Sequence, residues 1–162
     1  IMAASPGIGP AKATELLAAF EVGRRLARGG VERPLLDRPE MVYALVAAEM
    51  QALRQETLRV MLIDTKLRLL RSEIISLGSV NETVAHPREL LRPALIHAAY
   101  ALVVVHNHPS GDPAPSEADR RVTRRLVSGA ELLQIRLVDH IIIGRPDGGR
   151  QPYYSFREGG LI

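Results

Sequence analysis

The sequence of 162 residues contains no cysteine. This absence excludes disulfide bonds, thiolate nucleophiles and every zinc site that requires sulfur ligands. It also fits a reducing compartment, so we expect a cytoplasmic protein. No apolar run approaches the roughly eighteen residues needed to span a bilayer, and we expect no membrane segment. No signal-peptide pattern opens the chain, and because it begins with Ile1 we expect a piece of a longer polypeptide.

The composition is that of a folded protein. Hydrophobic residues make up 46% and charged residues 24% of the chain, as in ordinary globular domains. The net charge is +3, but the arginines are scattered beside acidic residues in segments with helical patterns. Charge alone therefore does not identify a nucleic-acid surface.

The chain is expected to contain three parts. Residues 1–30 hold a Gly-x-Gly turn followed by a helical pattern, which Gly29 and Gly30 end. The stretch "VERPLLDRPE" has two prolines and mixed charge, and residues 31–38 are therefore assigned to a linker. Residues 39–162 are expected to form the main domain.

Helical and strand patterns alternate in the main domain. A helix is predicted over 39–55, followed by the strands "LRVMLID" and "LRLLRSEIISLG", which a "DTK" hairpin turn connects. A helix from Pro87, the strand "ALVVVH", a helix from Ser116, the strand "RLVDHIIIG" and the short strand "PYYSF" follow. This order predicts an α/β fold with a mixed β-sheet flanked by helices, since the early hairpin is antiparallel.

The stretch "HNHPSGDPAPSEAD", residues 106–119, follows a strand expected to be buried on both faces. His106 and His108 point to one side of that strand if its extended conformation persists, because strand side chains alternate. Asp119 falls in the first turn of the next helix and can face back toward them. Two nitrogens and one oxygen leave the fourth position of a zinc ion to water, as in catalytic sites.

Plainer interpretations exist for each of these residues. A histidine at a strand end is often structural, and Ser116 with Asp119 also fits a helix-capping box. Neither interpretation explains the joint placement of two histidines, a stiff loop and an acid. HNH nucleases distribute their residues over a ββα hairpin, and zinc deaminases need cysteine ligands, so both classes fit poorly.

The same stretch resembles the H-x-H-P and S-x-x-D signature of JAMM (MPN+) metalloproteases. The surrounding "HPRELLRPALIHAAYALVVVHNHPSGDPAPSEADRRVTRRL" and "LVDHIIIG" resemble the bacterial RadC family (UPF0758) from about Pro34 onward. The segment "GIGPAKATELLAAFEVGRR" is similar to the helix-hairpin-helix-like end of the RadC N-terminal region. The resemblance implies an MPN domain with a cytidine-deaminase-like architecture and one zinc ion bound by His106, His108 and Asp119.

The family pattern also implies two catalytic side chains. Ser116 would steady the oxyanion of a tetrahedral intermediate, and Glu56, just before the first strand, would be the general base. Glu49 and Glu73 are the alternatives to Glu56.

Asp139 and His140 open the next strand and are expected either to orient a ligand imidazole or to be structural. The remaining histidines, His86 and His97, are expected to be non-catalytic. Two loop residues are expected to shape the loop or to contact substrate: Asn107 and Ser110.

Two functions remain open on the sequence. The first is a zinc-dependent hydrolase of the JAMM type that cleaves a peptide or isopeptide bond in a protein or peptide substrate. The second is a DNA-associated repair or recombination protein whose MPN domain is an interaction module. The Gly-x-Gly segment would bind a DNA phosphate through backbone N–H groups, though weakly, as a single truncated hairpin. The sequence identifies neither a particular substrate nor an oligomeric state.

Overall fold

The computed structural model describes residues 9–28, 33–77 and 86–162. It divides into two compact units, Ile1–Arg33 and Pro34–Ile162. In the first unit, helix α1 spans Pro10–Arg28, while most of the predicted Gly-x-Gly turn lies outside the described residues. No helix in the described ranges combines the length and apolar character that crossing a bilayer requires.

The second unit contains one five-stranded sheet, which confirms the predicted fold class. Its elements in chain order are α2 (Pro39–Gln51), β1 (Thr57–Ile63), β2 (Leu69–Leu77), α3 (Pro87–Ile96), β3 (Ala101–Asn107), α4 (Glu117–Leu132), β4 (Arg136–Ile143) and β5 (Tyr153–Ser155). The strand order is β2-β1-β3-β4-β5. Strands β3 and β4 are parallel and the other neighbours are antiparallel, so the sheet is mixed.

Helices cover both faces of this sheet. Alternate strand residues such as Val103 and Val105 pack with α2, while Leu102 and Val104 pack with α3 and α4. Every residue of β3 is buried, which explains why its sequence is a continuous apolar run rather than an alternating one. The side chain of His106 continues the face of Leu102 and Val104, beneath α4.

Local boundaries differ from the sequence prediction at two places. Helix α2 ends at Gln51 rather than at residue 55, because residues 52–56 turn the chain back toward the start of β1. Leu36, in the segment expected to be a linker, is only 1% exposed and donates its N–H to the Leu67 carbonyl oxygen at 2.8 Å. This part of the segment packs on the turn between β1 and β2.

Candidate metal centre

The histidine-bearing stretch lies where β3 ends in the centre of the sheet. His106 is paired with Leu58 of the antiparallel strand β1. Glu56 lies two residues before Leu58 and therefore on the same side of the sheet as His106. The fold thus brings the start of β1 to the end of β3, although fifty residues separate them in sequence.

The loop after β3 is fixed by backbone contacts. The His108 N–H donates to the Ile143 carbonyl oxygen at 3.1 Å, and the Gly111 N–H donates to the His108 carbonyl oxygen at 2.9 Å. Gly111 has a φ of 85°, a conformation that favours glycine. The prolines that follow prevent regular structure until Ser116 caps α4. This loop carries the chain from the strand end to Asp119.

Four side chains bring potential metal-ligand atoms together: Glu56, His106, His108 and Asp119. Those atoms all lie within 4.8 Å of one another. His106 Nε2 lies 3.1 Å from His108 Nε2, 3.3 Å from Asp119 Oδ1 and 3.7 Å from Glu56 Oε1. His108 Nε2 lies 3.6 Å from Asp119 Oδ2.

These separations suit a tetrahedral zinc ion. Ligand atoms held at about 2.0–2.2 Å by such an ion lie about 3.4 Å apart. The distances from His106 Nε2 to His108 Nε2 and to Asp119 Oδ1, 3.1 and 3.3 Å, are close to this separation, whereas the 3.6 Å distance from His108 Nε2 runs to the other carboxylate oxygen, Oδ2. The Nδ1 of His108 faces the Asp112 carbonyl oxygen at 2.8 Å and must donate to it. In the neutral ring, Nε2 of His108 therefore presents its lone pair to the cluster, as a ligand requires.

The cluster also favours the charged forms of two of its members. Burial opposes the charge on the His108 ring, but Asp119 and the Asp112 carbonyl outweigh it and raise the pKa of His108. Burial likewise opposes the charge on Asp119, but its contacts with the His106 and His108 rings hold its pKa well below the ordinary value. A cation bound by these residues would therefore face a carboxylate, and its binding would require the loss of a proton from His108.

Ser116 and Asp119 also form the capping box of α4. The Ser116 N–H and hydroxyl donate to Asp119 Oδ2 at 2.7 and 2.6 Å, and the Asp119 N–H donates to Ser116 Oγ at 3.2 Å. Capping and ligation are therefore compatible, since the box fixes the carboxylate while Oδ1 faces His106. The Ser116 hydroxyl lies beside the cluster.

His140 lies directly behind His106. Its Nε2 is 2.9 Å from His106 Nδ1, and its Nδ1 is 2.7 Å from Thr123 Oγ1. Burial, followed by the neighbouring His106, lowers the pKa of His140 well below its ordinary value. Thr123 was not predicted from the sequence; its only signal is a hydroxyl within the apolar face of α4, between Val122 and Leu126.

Asp139 points to the opposite face of the sheet and has a different environment from its neighbour. Its carboxylate accepts hydrogen bonds from Ser155 Oγ at 2.6 Å, from the Arg157 N–H at 3.0 Å and from the His140 N–H at 2.8 Å. Burial raises the pKa of Asp139. These contacts tie β4 to β5 and to the residues that follow β5, and of the two roles considered for Asp139 they favour the structural one.

Asn107 holds the backbone on both sides of Glu56. Its Oδ1 accepts from the Thr57 N–H at 2.9 Å, and its Nδ2 donates to the Gln55 carbonyl oxygen at 3.2 Å. Asn107 is 2% exposed, so it lines no solvent-accessible surface. Of the two roles considered for it, shaping the site is the one that the contacts favour.

The alternative acids lie in ion pairs of their own. Glu49 makes a two-pronged pair with Arg59, which lowers the pKa of Glu49. Glu73 contacts Arg71 at 2.6 Å and His97 at 3.0 Å. The fifth histidine, His86, precedes α3 and makes no side-chain cap there. Of the described glutamates, Glu56 is therefore the one that the fold brings to His106 and His108.

Together, the mixed sheet, its two helical layers and the acid–histidine cluster at the end of β3 define a domain of the JAB (MPN) class. The match to a family model is specific: the RadC-like JAB domain matches residues 36–161. The chain belongs to this RadC-like family.

Curated relatives agree with this assignment. The chain is 42% identical to a UPF0758 protein of Thermosynechococcus vestitus over 157 residues, which are 96% of this chain and 60% of that protein. It is 42% identical to a UPF0758 protein of Methanosarcina mazei over 158 residues, 96% of this chain and 66% of the relative. A UPF0758 protein of Desulforamulus reducens is 45% identical over 157 residues, with 96% and 67% covered. The chain thus spans about two thirds or less of the length of the first two relatives.

Proposed function

We propose that this chain is a zinc-dependent hydrolase of the JAMM type that cleaves a peptide or isopeptide bond. The observation that carries the proposal is the convergence of ligand atoms from Glu56, His106, His108 and Asp119 within 4.8 Å of one another. His106, His108 and Asp119 would hold the ion, since His106 Nε2 lies 3.1 Å from His108 Nε2 and 3.3 Å from Asp119 Oδ1, separations that suit tetrahedral coordination. When bound, zinc makes water nucleophilic near neutral pH and polarises a carbonyl group.

Glu56 is suited to move the proton. Its side chain is 23% exposed, whereas that of His106 is 2% exposed, so Glu56 lies at the boundary between the buried cluster and solvent. A carboxylate at this position can accept a proton from the attacking water and deliver it to the leaving amine. Both Asn107 contacts restrain the backbone of Glu56 and so hold it beside the histidines.

Ser116 is suited to stabilise negative charge on the substrate. Its hydroxyl is held at the start of α4 by Asp119, and a small rotation would turn the O–H toward a developing oxyanion. The nearby N-terminus of α4 adds a partial positive charge. The alternative of a DNA-associated protein depends on residues 1–30, where no contact of the described residues favours it.

Hydrolysis of peptide and isopeptide libraries by the zinc-supplied chain tests the proposal. The Glu56→Gln variant should keep its zinc and lose about 100-fold or more in turnover, because the amide cannot accept the proton. Glu49→Gln, which alters a glutamate outside the cluster, is the matched control and should remain active. Turnover by Glu56→Gln equal to that of the control would refute the assignment of the base.

A further inference from the structure

We propose that Thr123 and His140 are positioning residues that fix the tautomer of His106, so that its Nε2 lone pair faces the cluster. The inference rests on the proposed zinc site and goes beyond it. It assigns a role to Thr123, which belongs to neither the ligands nor the catalytic pair. It follows from three consecutive hydrogen bonds, and a carbonyl group at one end determines which group donates in each of them.

The carbonyl oxygen of Asp119 supplies the fixed end. Thr123 Oγ1 lies 2.6 Å from it, and because a carbonyl oxygen only accepts, the threonine hydroxyl donates. That hydroxyl has a single hydrogen, so in its 2.7 Å contact with His140 Nδ1 the hydroxyl oxygen must accept the hydrogen bond. His140 therefore carries its proton on Nδ1 and donates it to Thr123.

The protonation of His140 on Nδ1 in turn determines which nitrogen of His106 is protonated. The His140 ring is buried and stacks on Phe156 at 4.7 Å with an interplanar angle of 8°, surroundings that favour the neutral form. A neutral ring protonated on Nδ1 presents a lone pair at Nε2. His106 Nδ1, 2.9 Å away, must therefore donate to it, which leaves Nε2 of neutral His106 without a proton.

If the hydrogen bonds ran in the opposite direction, His106 Nε2 would be unable to bind a metal ion. If the Thr123 hydroxyl donated to His140 Nδ1, the proton of neutral His140 would lie on Nε2 and be donated to His106. His106 would then be protonated on Nε2, at the atom that faces His108 and Asp119. The Asp119 carbonyl thus selects the direction of hydrogen bonding that leaves His106 Nε2 free of a proton. Because Asp119 also supplies a ligand carboxylate, α4 fixes both the position of that acid and the tautomer of His106.

Two variants of the full chain separate this role from simple packing. Thr123→Val keeps the shape of the side chain but removes the hydroxyl, whereas Thr123→Ser keeps the hydroxyl. In zinc-free protein with ¹⁵N-labelled histidine, long-range ¹H–¹⁵N correlation reports which nitrogen of neutral His106 is protonated. We expect Nδ1 protonation in the wild type and in Thr123→Ser, and a shift of the proton toward Nε2 in Thr123→Val.

Competition titration with Zn²⁺ alone supplies the second readout. Thr123→Val should bind zinc about 10- to 100-fold more weakly than the wild type, and Thr123→Ser should stay within about threefold. Thermal unfolding and the signals of His97, outside the cluster, report whether each variant is folded. A folded Thr123→Val with wild-type tautomer and affinity would overturn the inference, as would an Nε2-protonated His106 in the wild type.

The tautomer is measured without zinc or substrate, so its result stands apart from the hydrolase assignment. A chain that shows the expected tautomer but cleaves no bond would overturn the proposed function alone. A chain that hydrolyses its substrate while Thr123→Val keeps the wild-type tautomer and zinc affinity would overturn the positioning role alone.

Discussion

Replacing Asn107 by alanine should destabilise the zinc-free protein by about 2–4 kcal/mol. The Asn107 side chain satisfies the N–H of Thr57 and the carbonyl oxygen of Gln55, and Asn107 and Thr57 are both at most 2% exposed. A buried N–H without a partner costs about 1–3 kcal/mol. The exposed Gln55 can turn its carbonyl to water, so its loss adds only about 1 kcal/mol.

Urea unfolding in the presence of a metal chelator measures this change without a contribution from bound zinc. Ser110→Ala is the matched control, because Ser110 lies in the exposed part of the neighbouring loop and makes a single 3.3 Å contact with the Asp112 N–H. It should cost less than about 0.5 kcal/mol. Asn107→Ala should also reduce turnover more than zinc affinity, since it frees the backbone of Glu56. A loss no larger than that of the control would refute the reasoning.

Three further changes should have distinct effects. Asp139→Ala should lower the free energy of unfolding by about 2–4 kcal/mol, because it leaves buried donors unpaired, whereas Asp139→Asn should cost much less. Neither should alter zinc affinity in a titration, and a large fall would instead assign Asp139 to the metal site. Because the pKa of His140 is lowered, the unfolded chain takes up the proton first as pH falls below about 6.5. The stability of the wild type relative to His140→Gln should therefore fall by up to about 1.4 kcal/mol per pH unit in urea titrations, and a constant difference would contradict this sign. In Gly144→Ala, the added Cβ would lie 2.7 Å from the Gly111 carbonyl oxygen, so calorimetry should show lower stability and weaker zinc binding; unchanged values would contradict this packing.

The sequence predicted the sheet and the cluster because both have local signals. The unbroken apolar run before His106 is typical of a central strand, and the H-x-H spacing needs only strand alternation to bring two rings together. Asp119 could be placed because Ser116 and the prolines before it define the start of a helix. These features depend on neighbours in sequence, which periodicity and turn chemistry describe.

The remaining features depend on contacts between distant segments. The Asn107 contacts require the antiparallel register of β1 against β3, and the Thr123 contact requires α4 to cross β4 at His140. No sequence pattern specifies either contact. The sequence alone suggests the same role for Asp139 and His140. Strand alternation could have distinguished them in advance, because adjacent strand residues point to opposite faces of a sheet. The boundary of α2 depends on where the chain must turn to reach β1.

The zinc content of the purified, zinc-supplied chain tests the central claim most directly. Elemental analysis after removal of free metal should give one zinc ion per wild-type chain and almost none in His108→Ala. His97→Ala, which removes a histidine outside the cluster, should retain the ion. A wild-type chain that holds no stoichiometric zinc, or a His108→Ala variant that retains it, would contradict the assignment of this cluster as a zinc centre.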